Sequence, residues 1–268
     1  MKEHIKNTTN APIGIFDSGL GGLSICKEIV KILPNESVIY LADSINAPYG
    51  EKSKDEIIRL SIKNVELLIE LGCKAIVVAC NTATTNAITI LRATYPIPFI
   101  GIEPATKAAA LQTKTGKIGV LATKSTLQSD LFNTTLNQYR GHIDITEAQG
   151  VDLVRLIEEG ALIATIPLLK KYLFPMVNKG VDHIVLGCTH YPFLIPIIKE
   201  IIPNTITIVD SGEAVARQML KVLKEEELLN LTPNSVEKIF YTNSQLEVFN
   251  SFLNQIDLEA DIVSYKAF

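Results

Sequence analysis

The chain has 268 residues, 47% hydrophobic and 20% charged, which makes it a folded protein at the border between one domain and two. A net charge of −4 leaves no basic face, so a nucleic-acid partner is not expected. Residues 1–11 are polar with no apolar signal core, and no apolar run approaches the roughly 20 residues of a membrane span, so a cytoplasmic protein without a membrane partner is the simplest expectation.

In chain order, Ile13-Gly14-Ile15-Phe16 reads as a buried strand, Asp17 to Gly22 as a turn with three glycines, and Leu23 to Leu33 as a helix closed by Pro34. Val38 to Ala42 is a second strand and runs into a loop, Asp43 to Gly50. Lys54 to Leu71 places Ile57, Ile58, Leu60, Val65 and Leu68 on one helical face and stops at Gly72. Ala75 to Ala79 is a β-branched run that ends at Cys80. Thr84 to Tyr95 is a helix, and Phe99 to Ile102 a strand that meets Glu103-Pro104. The alternation then restarts. Lys117 to Ala122 is a strand, Ser125 to Tyr139 a helix, Ile143 to Thr146 a short strand, Val151 to Gly160 a helical turn or two, and Ile163 to Asn178 a helix. The strand ending at Cys188 follows, then a helix Phe193 to Ile202, a strand Thr205 to Val209, a helix Glu213 to Leu228, a last strand Glu237 to Thr242 and a last helix Gln245 to Gln255. Strands alternating with helices predict α/β architecture with mostly parallel sheets.

The second half echoes the first. Ile13 corresponds to Ile118 at an offset of 105, Cys80 to Cys188 at 108, and Glu103 to Asp210 at 107. Near-constant offsets suggest two copies of one unit. Ligands of α/β proteins bind beyond the C-terminal strand ends, so two such units facing each other would bring Cys80 and Cys188 to opposite sides of one cleft.

Two opposed thiols suit one kind of chemistry well. A thiolate can take a proton from a carbon while a thiol returns one from the other face, and the ordinary thiol pKa of about 8.5 keeps both forms within reach. That is a racemase or epimerase. Ser18, Asn81, Thr82 and Thr189 add hydroxyls and an amide at the strand tips. The Asp17–Gly22 turn opens a helix, so its N–H groups are candidates for holding a carboxylate. Asp17 or Glu158 can orient an ammonium or help to activate a cysteine, and His190, two residues beyond Cys188, can raise its thiolate fraction. Cys26 and Cys73 lie in helical patterns and read as inert core residues. Gly19-x-Gly21 is followed by Ser24 where a dinucleotide fingerprint needs its third glycine. A zinc site built from Cys80, Cys188 and His190 lacks short paired spacing, and no Lys adjoins either cysteine as a Schiff-base enzyme requires, so neither metal nor cofactor is expected. A thiol-redox or sensor protein and a non-catalytic amino-acid-binding protein are the readings from other classes.

The motifs Ile15-Phe16-Asp17-Ser18-Gly19-Leu20-Gly21-Gly22, Ala47-Pro48-Tyr49-Gly50, Ala79-Cys80-Asn81-Thr82-Ala83, Gly101-Ile102-Glu103-Pro104-Ala105 and Leu186-Gly187-Cys188-Thr189-His190-Tyr191-Pro192, in that order, resemble the glutamate racemases of the cofactor-independent aspartate/glutamate racemase superfamily. The resemblance runs from Ile13 to about Phe252. It implies interconversion of L- and D-glutamate for peptidoglycan in a bacterial cytoplasm, with aspartate racemase as the nearest alternative. It implies that Cys80 acts on the D enantiomer and Cys188 on the L enantiomer, that Asp17 assists Cys80, and that His190 assists Cys188. Glu158 matches a further assisting acid, with Glu159 as its alternative, although a family Pro-rich approach is replaced here by Val151 to Ile157. Asp17, Ser18, Pro48, Tyr49, Gly50, Asn81, Thr82, Thr189 and His190 match positions that line the substrate. The resemblance further implies two similar three-layer α/β domains, related by a pseudo-twofold with the site in the cleft between them. The expected first domain is 12–104 plus 213–268, the second is 105–212, and a homodimer is the expected assembly.

Overall fold

Buried β-branched runs set the frame. The computed structural model describes residues 8–232 and 235–268; of the polar segment 1–11, residues 1–7 lie outside the described residues. The strands are β1 (Ile13–Asp17), β2 (Val38–Ala42), β3 (Ala75–Val78), β4 (Phe99–Gly101), β5 (Lys117–Ala122), β6 (Asp144–Gln149), β7 (His183–Gly187), β8 (Thr207–Val209), β9 (Lys238–Thr242) and β10 (Ile262–Tyr265). The helices are α1 (Leu23–Ile32), α2 (Lys54–Glu70), α3 (Asn81–Thr94), α4 (Thr106–Gln112), α5 (Lys124–Gln128), α6 (Asp130–Asn137), α7 (Leu153–Glu158), α8 (Ile166–Asn178), α9 (Ile195–Ile201), α10 (Gly212–Glu225) and α11 (Leu246–Gln255). Every residue of β1, β2, β3 and β7 is buried, as strands covered by helices on both faces must be.

Two parallel sheets result. One has the order β10-β9-β2-β1-β3-β4 and the other β6-β5-β7-β8. The four-strand order β2-β1-β3-β4 of the first is repeated as β6-β5-β7-β8 in the second. The registers repeat too: Gly14 of β1 pairs with Ile76 of β3, and Gly119 of β5 with Ile184 of β7, at the offsets of 105 and 108 read from the sequence. The fold is therefore α/β with two units of one topology. Helix α10 packs on α1, and β9 and β10 join the first sheet, so the chain returns to its first unit after β8. The two crossings between units lie side by side, where Ser211 donates to the Glu103 carbonyl at 2.6 Å.

Several boundaries differ from the sequence reading, each for a local reason. Helix α3 begins at Asn81 instead of Thr84, because Cys80 takes an extended conformation and its sulfur accepts from Ala83 N–H, as an N-cap does. The helix expected over 125–139 is two helices. Ser129 is extended, and its hydroxyl accepts from Phe132 N–H, which starts α6 afresh. Pieces of 3₁₀-helix at Leu162–Thr165 and Tyr191–Leu194 precede α8 and α9. Helix α4 and strand β10 had no counterpart in the reading; β9 is not the last strand. β10 is a partly exposed edge strand without a clean alternation of burial.

At the opposite end of the first sheet from the cysteines, Lys74 and Glu36 form a buried ion pair at 2.5 Å. Lys74 also donates to the Thr9 carbonyl, and Glu36 accepts from Asn230 N–H at 2.8 Å, so the pair ties three distant segments. Removing one partner strands a buried charge. Lys74→Met is expected to lower stability in urea by about 3–5 kcal/mol. Lys74→Met/Glu36→Gln should recover most of that loss, because the amide still accepts from Asn230; a double variant no better than Lys74→Met would contradict the stranded-charge account.

Candidate active site

The two cysteines stand just past the tips of corresponding strands, Cys80 after β3 and Cys188 after β7. They line one cavity together with Ser18, Pro48, Tyr49, Gly50, Asn81 and Thr82 from the first unit and with Thr189 and His190 from the second. The cavity is narrow, about 10 Å³, room for about one water molecule. Thr123 and Val154 also line it, and the sequence reading did not single them out. A signal for Thr123 existed: the offset of 105 that relates Ile13 to Ile118 carries Ser18 to Thr123. Val154 sits on the short helix α7, whose apolar residues give no hint of a pocket.

Each thiol has its own surroundings. Cys80 lies 3.5 Å from the Ser18 hydroxyl and accepts from Ala83 N–H at 3.4 Å. Burial pushes its thiol well above the ordinary range and the charge of Asp17 pushes the same way, while the Ala83 N–H pulls it down by less. Cys80 therefore rests as a thiol. Cys188 faces His190, with sulfur and Nδ1 3.8 Å apart. On the other side of that ring, Nε2 lies 2.5 Å from Oε1 of Glu158. Burial alone would lower the His190 pKa, but hydrogen bonds to Cys188 and Glu158 and the charges of Glu158 and Asp17 outweigh it and raise it well above 6.5.

Asp17 and Glu158 do not line the cavity; they stand behind it. Asp17 is completely buried, and one of its oxygens accepts from Gly19 N–H and Gly22 N–H, both at 3.1 Å. The other accepts from the Thr189 hydroxyl at 3.2 Å, across the two units. Burial raises the Asp17 carboxyl to about 6, against lowering by His190 and the Gly22 N–H. Leu20 N–H donates to Glu158 at 2.6 Å. The turn after β1 was read as a cradle for a ligand carboxylate; its N–H groups at 19, 20 and 22 are instead taken by Asp17 and Glu158. Of the two adjacent acids, Glu158 faces His190, and Glu159 turns out to Arg155 at 3.0 Å.

Polar groups remain for a ligand. The amide nitrogen of Asn81 is buried without a hydrogen-bond partner. Hydroxyls of Thr82, Thr123 and Thr126 form a chain with 3.0 Å steps that crosses from the first unit to the second. Cys26 and Cys73 lie away from the cavity in the core, where burial pushes both thiols up, Cys73 to about 12. No helix among the described residues is long and apolar enough to cross a membrane.

Fold and site together define an α/β enzyme that presents two thiols to one narrow pocket. Comparison with known proteins narrows the class. Residues 13–219 match the Asp/Glu/Hydantoin racemase family. A glutamate racemase of Ectopseudomonas mendocina is 46% identical over 230 residues, covering 85% of this chain and 88% of the relative. Among solved structures, glutamate racemase isoform RacE1 of Bacillus anthracis superposes with a TM-score of 0.86 at 31% identity, covering 97% and 98% of the two chains. The Francisella tularensis glutamate racemase in complex with D-glutamate gives 0.82 at 31% identity, with the same coverage. The chain belongs to the Asp/Glu/Hydantoin racemase family, an isomerase family, as the five motifs led one to expect.

The imidazole geometry has a direct readout. His190 is expected to stay protonated well above pH 6.5 in an NMR titration, because hydrogen bonds to Cys188 and Glu158 and the charges of Glu158 and Asp17 stabilise the cation. Glu158→Gln should move its titration to lower pH; an unmoved titration would mean that Glu158 does not set the charge of His190.

Proposed function

We propose that the enzyme interconverts L- and D-glutamate by two-base proton transfer at the α-carbon, in the cytoplasm, supplying D-glutamate for peptidoglycan. The observation that carries this reading is that Cys80 and Cys188, just past the tips of corresponding strands of the two sheets, line one cavity. The glutamate racemases that resemble the chain over nearly its whole length support the choice of substrate. We take the working units as 12–104 with 213–268, and 105–212, and a homodimer as the assembly.

In the proposed reaction one cysteine, as thiolate, takes the α-proton. The bond electrons remain on the substrate as a carbanion delocalised into its carboxylate. The other cysteine, as thiol, delivers its proton to the opposite face and is left as thiolate, and the configuration inverts. Cys80 serves D-glutamate and Cys188 serves L-glutamate, with Asp17 beside the first and His190 beside the second. The unpartnered Asn81 amide and the Ser18 hydroxyl are the donors available to the carboxylates, because the Thr189 and Thr82 protons are given to Asp17 and Thr123. The substrate ammonium brings a positive charge toward Cys80 and Asp17 and offsets the burial and anionic charge that hold Cys80 protonated.

Turnover in deuterated water tests the reaction. Starting from either enantiomer, the α-position of the enantiomer formed should carry deuterium, because each face exchanges with its own thiol. Cys80→Ser and Cys188→Ser should each lower racemisation by at least about 10²-fold, the scale of losing one general acid or base. Absence of exchange from either enantiomer refutes the activity, and near-normal turnover in either variant refutes the two-base mechanism.

The Asp17 carboxyl predicts an acid limb. Its pKa in the fold is raised, to about 6, so it is protonated below that pH and ionised above it. If the ionised form is needed, kcat/KM for glutamate falls as pH drops through about 6. Asp17→Asn should lose that limb along with most of the activity; an unchanged limb in the variant assigns it to another group.

A further inference from the structure

Asp43 follows the end of β2, beside the end of β1, where its N–H donates to the Asp17 carbonyl at 3.1 Å. It is completely buried, and it does not line the cavity. Its carboxylate collects donors from three parts of the chain. From its own loop come the Tyr49 hydroxyl at 2.5 Å and the Asn46 amide at 2.8 Å. From α2 come the Lys63 ammonium at 3.2 Å and the Asn64 amide at 3.5 Å. From beyond β9 comes the Asn243 amide at 2.6 Å, and the other end of that amide accepts from Ile45 N–H at 3.0 Å. A buried carboxylate is expensive unless its lone pairs are filled. Here they are filled by groups that converge from α2, the loop after β2 and the end of β9.

Of the groups held by Asp43, Tyr49 reaches the cavity. Tyr49 stands between Pro48 and Gly50, which line it too. A phenol has one proton, and that of Tyr49 is committed to Asp43, while its oxygen accepts from Asn64 at 3.1 Å. The hydroxyl is therefore an anchor, bonded to Asp43 and Asn64, neither of which lines the cavity.

We propose that Asp43 is a positioning residue of the active site: through the Tyr49 hydroxyl it fixes the Pro48–Gly50 wall against which glutamate is held, and it ties that wall to the ends of β1 and β9. The proposal rests on the glutamate-racemising activity proposed above.

The test is a double-mutant cycle on steady-state kinetics with D-glutamate, with thermal unfolding followed on the same samples. Tyr49→Phe removes only the hydroxyl, and Asp43→Asn removes the charge while keeping the shape. Each should raise KM about tenfold, the scale of one hydrogen bond to a charged group. The kcat should change less than about threefold, the pattern of lost uniform binding. The double variant should be no worse than the larger single effect, because both substitutions break the same bond. Multiplying effects, an unchanged KM, or a loss that merely follows the folded fraction would overturn the assignment. If Asp43→Asn does not fold, Tyr49→Phe decides alone: an unchanged KM overturns the assignment. An inert wild-type enzyme refutes the activity and the assignment with it, whereas an active wild type with multiplying effects refutes Asp43 alone.

Discussion

One carboxylate oxygen links the two halves of the molecule at the site. Oε1 of Glu158 accepts from Leu20 N–H in the first unit and meets the His190 ring in the second. Both contacts require the turn after β1 to have almost no side chains. A Cβ at Gly19 would lie 2.0 Å from Glu158, and one at Gly21 would lie 2.4 Å from the His190 ring. Gly19 and Gly21 thus let the second unit rest directly on backbone, while a Cβ at Gly22 would meet Asp17, Tyr40 and Ala79 of the first unit. Asp17 accepts from the Gly19 and Gly22 N–H groups of the turn and reaches Thr189 across the boundary.

Burial at this junction has an electrostatic consequence for three groups, Asp17, Cys80 and His190. Asp17 and Cys80 are both pushed up, chiefly by burial, and the His190 pKa is raised against burial by hydrogen bonds to Cys188 and Glu158 and by the charges of Glu158 and Asp17. The shifts of Cys80 and His190 favour the protonated forms, the Cys80 thiol and the His190 imidazolium. A ligand that carries both an ammonium and carboxylates can exchange charge with each of these groups, which an uncharged ligand cannot do.

Much of this was legible in the sequence, for identifiable reasons. Fully buried strands such as β1, β3 and β7 announce themselves by β-branched runs, and a thiol just past such a run is a visible break in pattern. The offsets between halves survive in the structure as repeated strand order and register. Events decided by a single side chain were not legible. Ser129 splits one apparent helix into two, and Cys80 pulls the start of α3 forward by three residues. The same limit applies at the site. Glycines and acids in the turn after β1 could be read as a cradle for a ligand, because pattern alone does not say which carboxylate fills it. Glu158 is 138 residues away from Leu20, and only the packing of one unit on the other brings it there.

The repeat also explains why two similar thiols end up in dissimilar places. The offset of 108 that carries Cys80 to Cys188 carries Asn81 to Thr189 and Thr82 to His190. In the first unit the residue two past the cysteine is a hydroxyl that joins Thr123 and Thr126; in the second it is an imidazole backed by Glu158. A strict repeat would have placed the same group beside both thiols. A chiral α-amino acid does not present the same atoms to both sides, so a site that holds it in one orientation needs different neighbours on each. The backbone repeat supplies two equivalent strand tips, and the divergence at the position two residues beyond each cysteine supplies the difference between the faces.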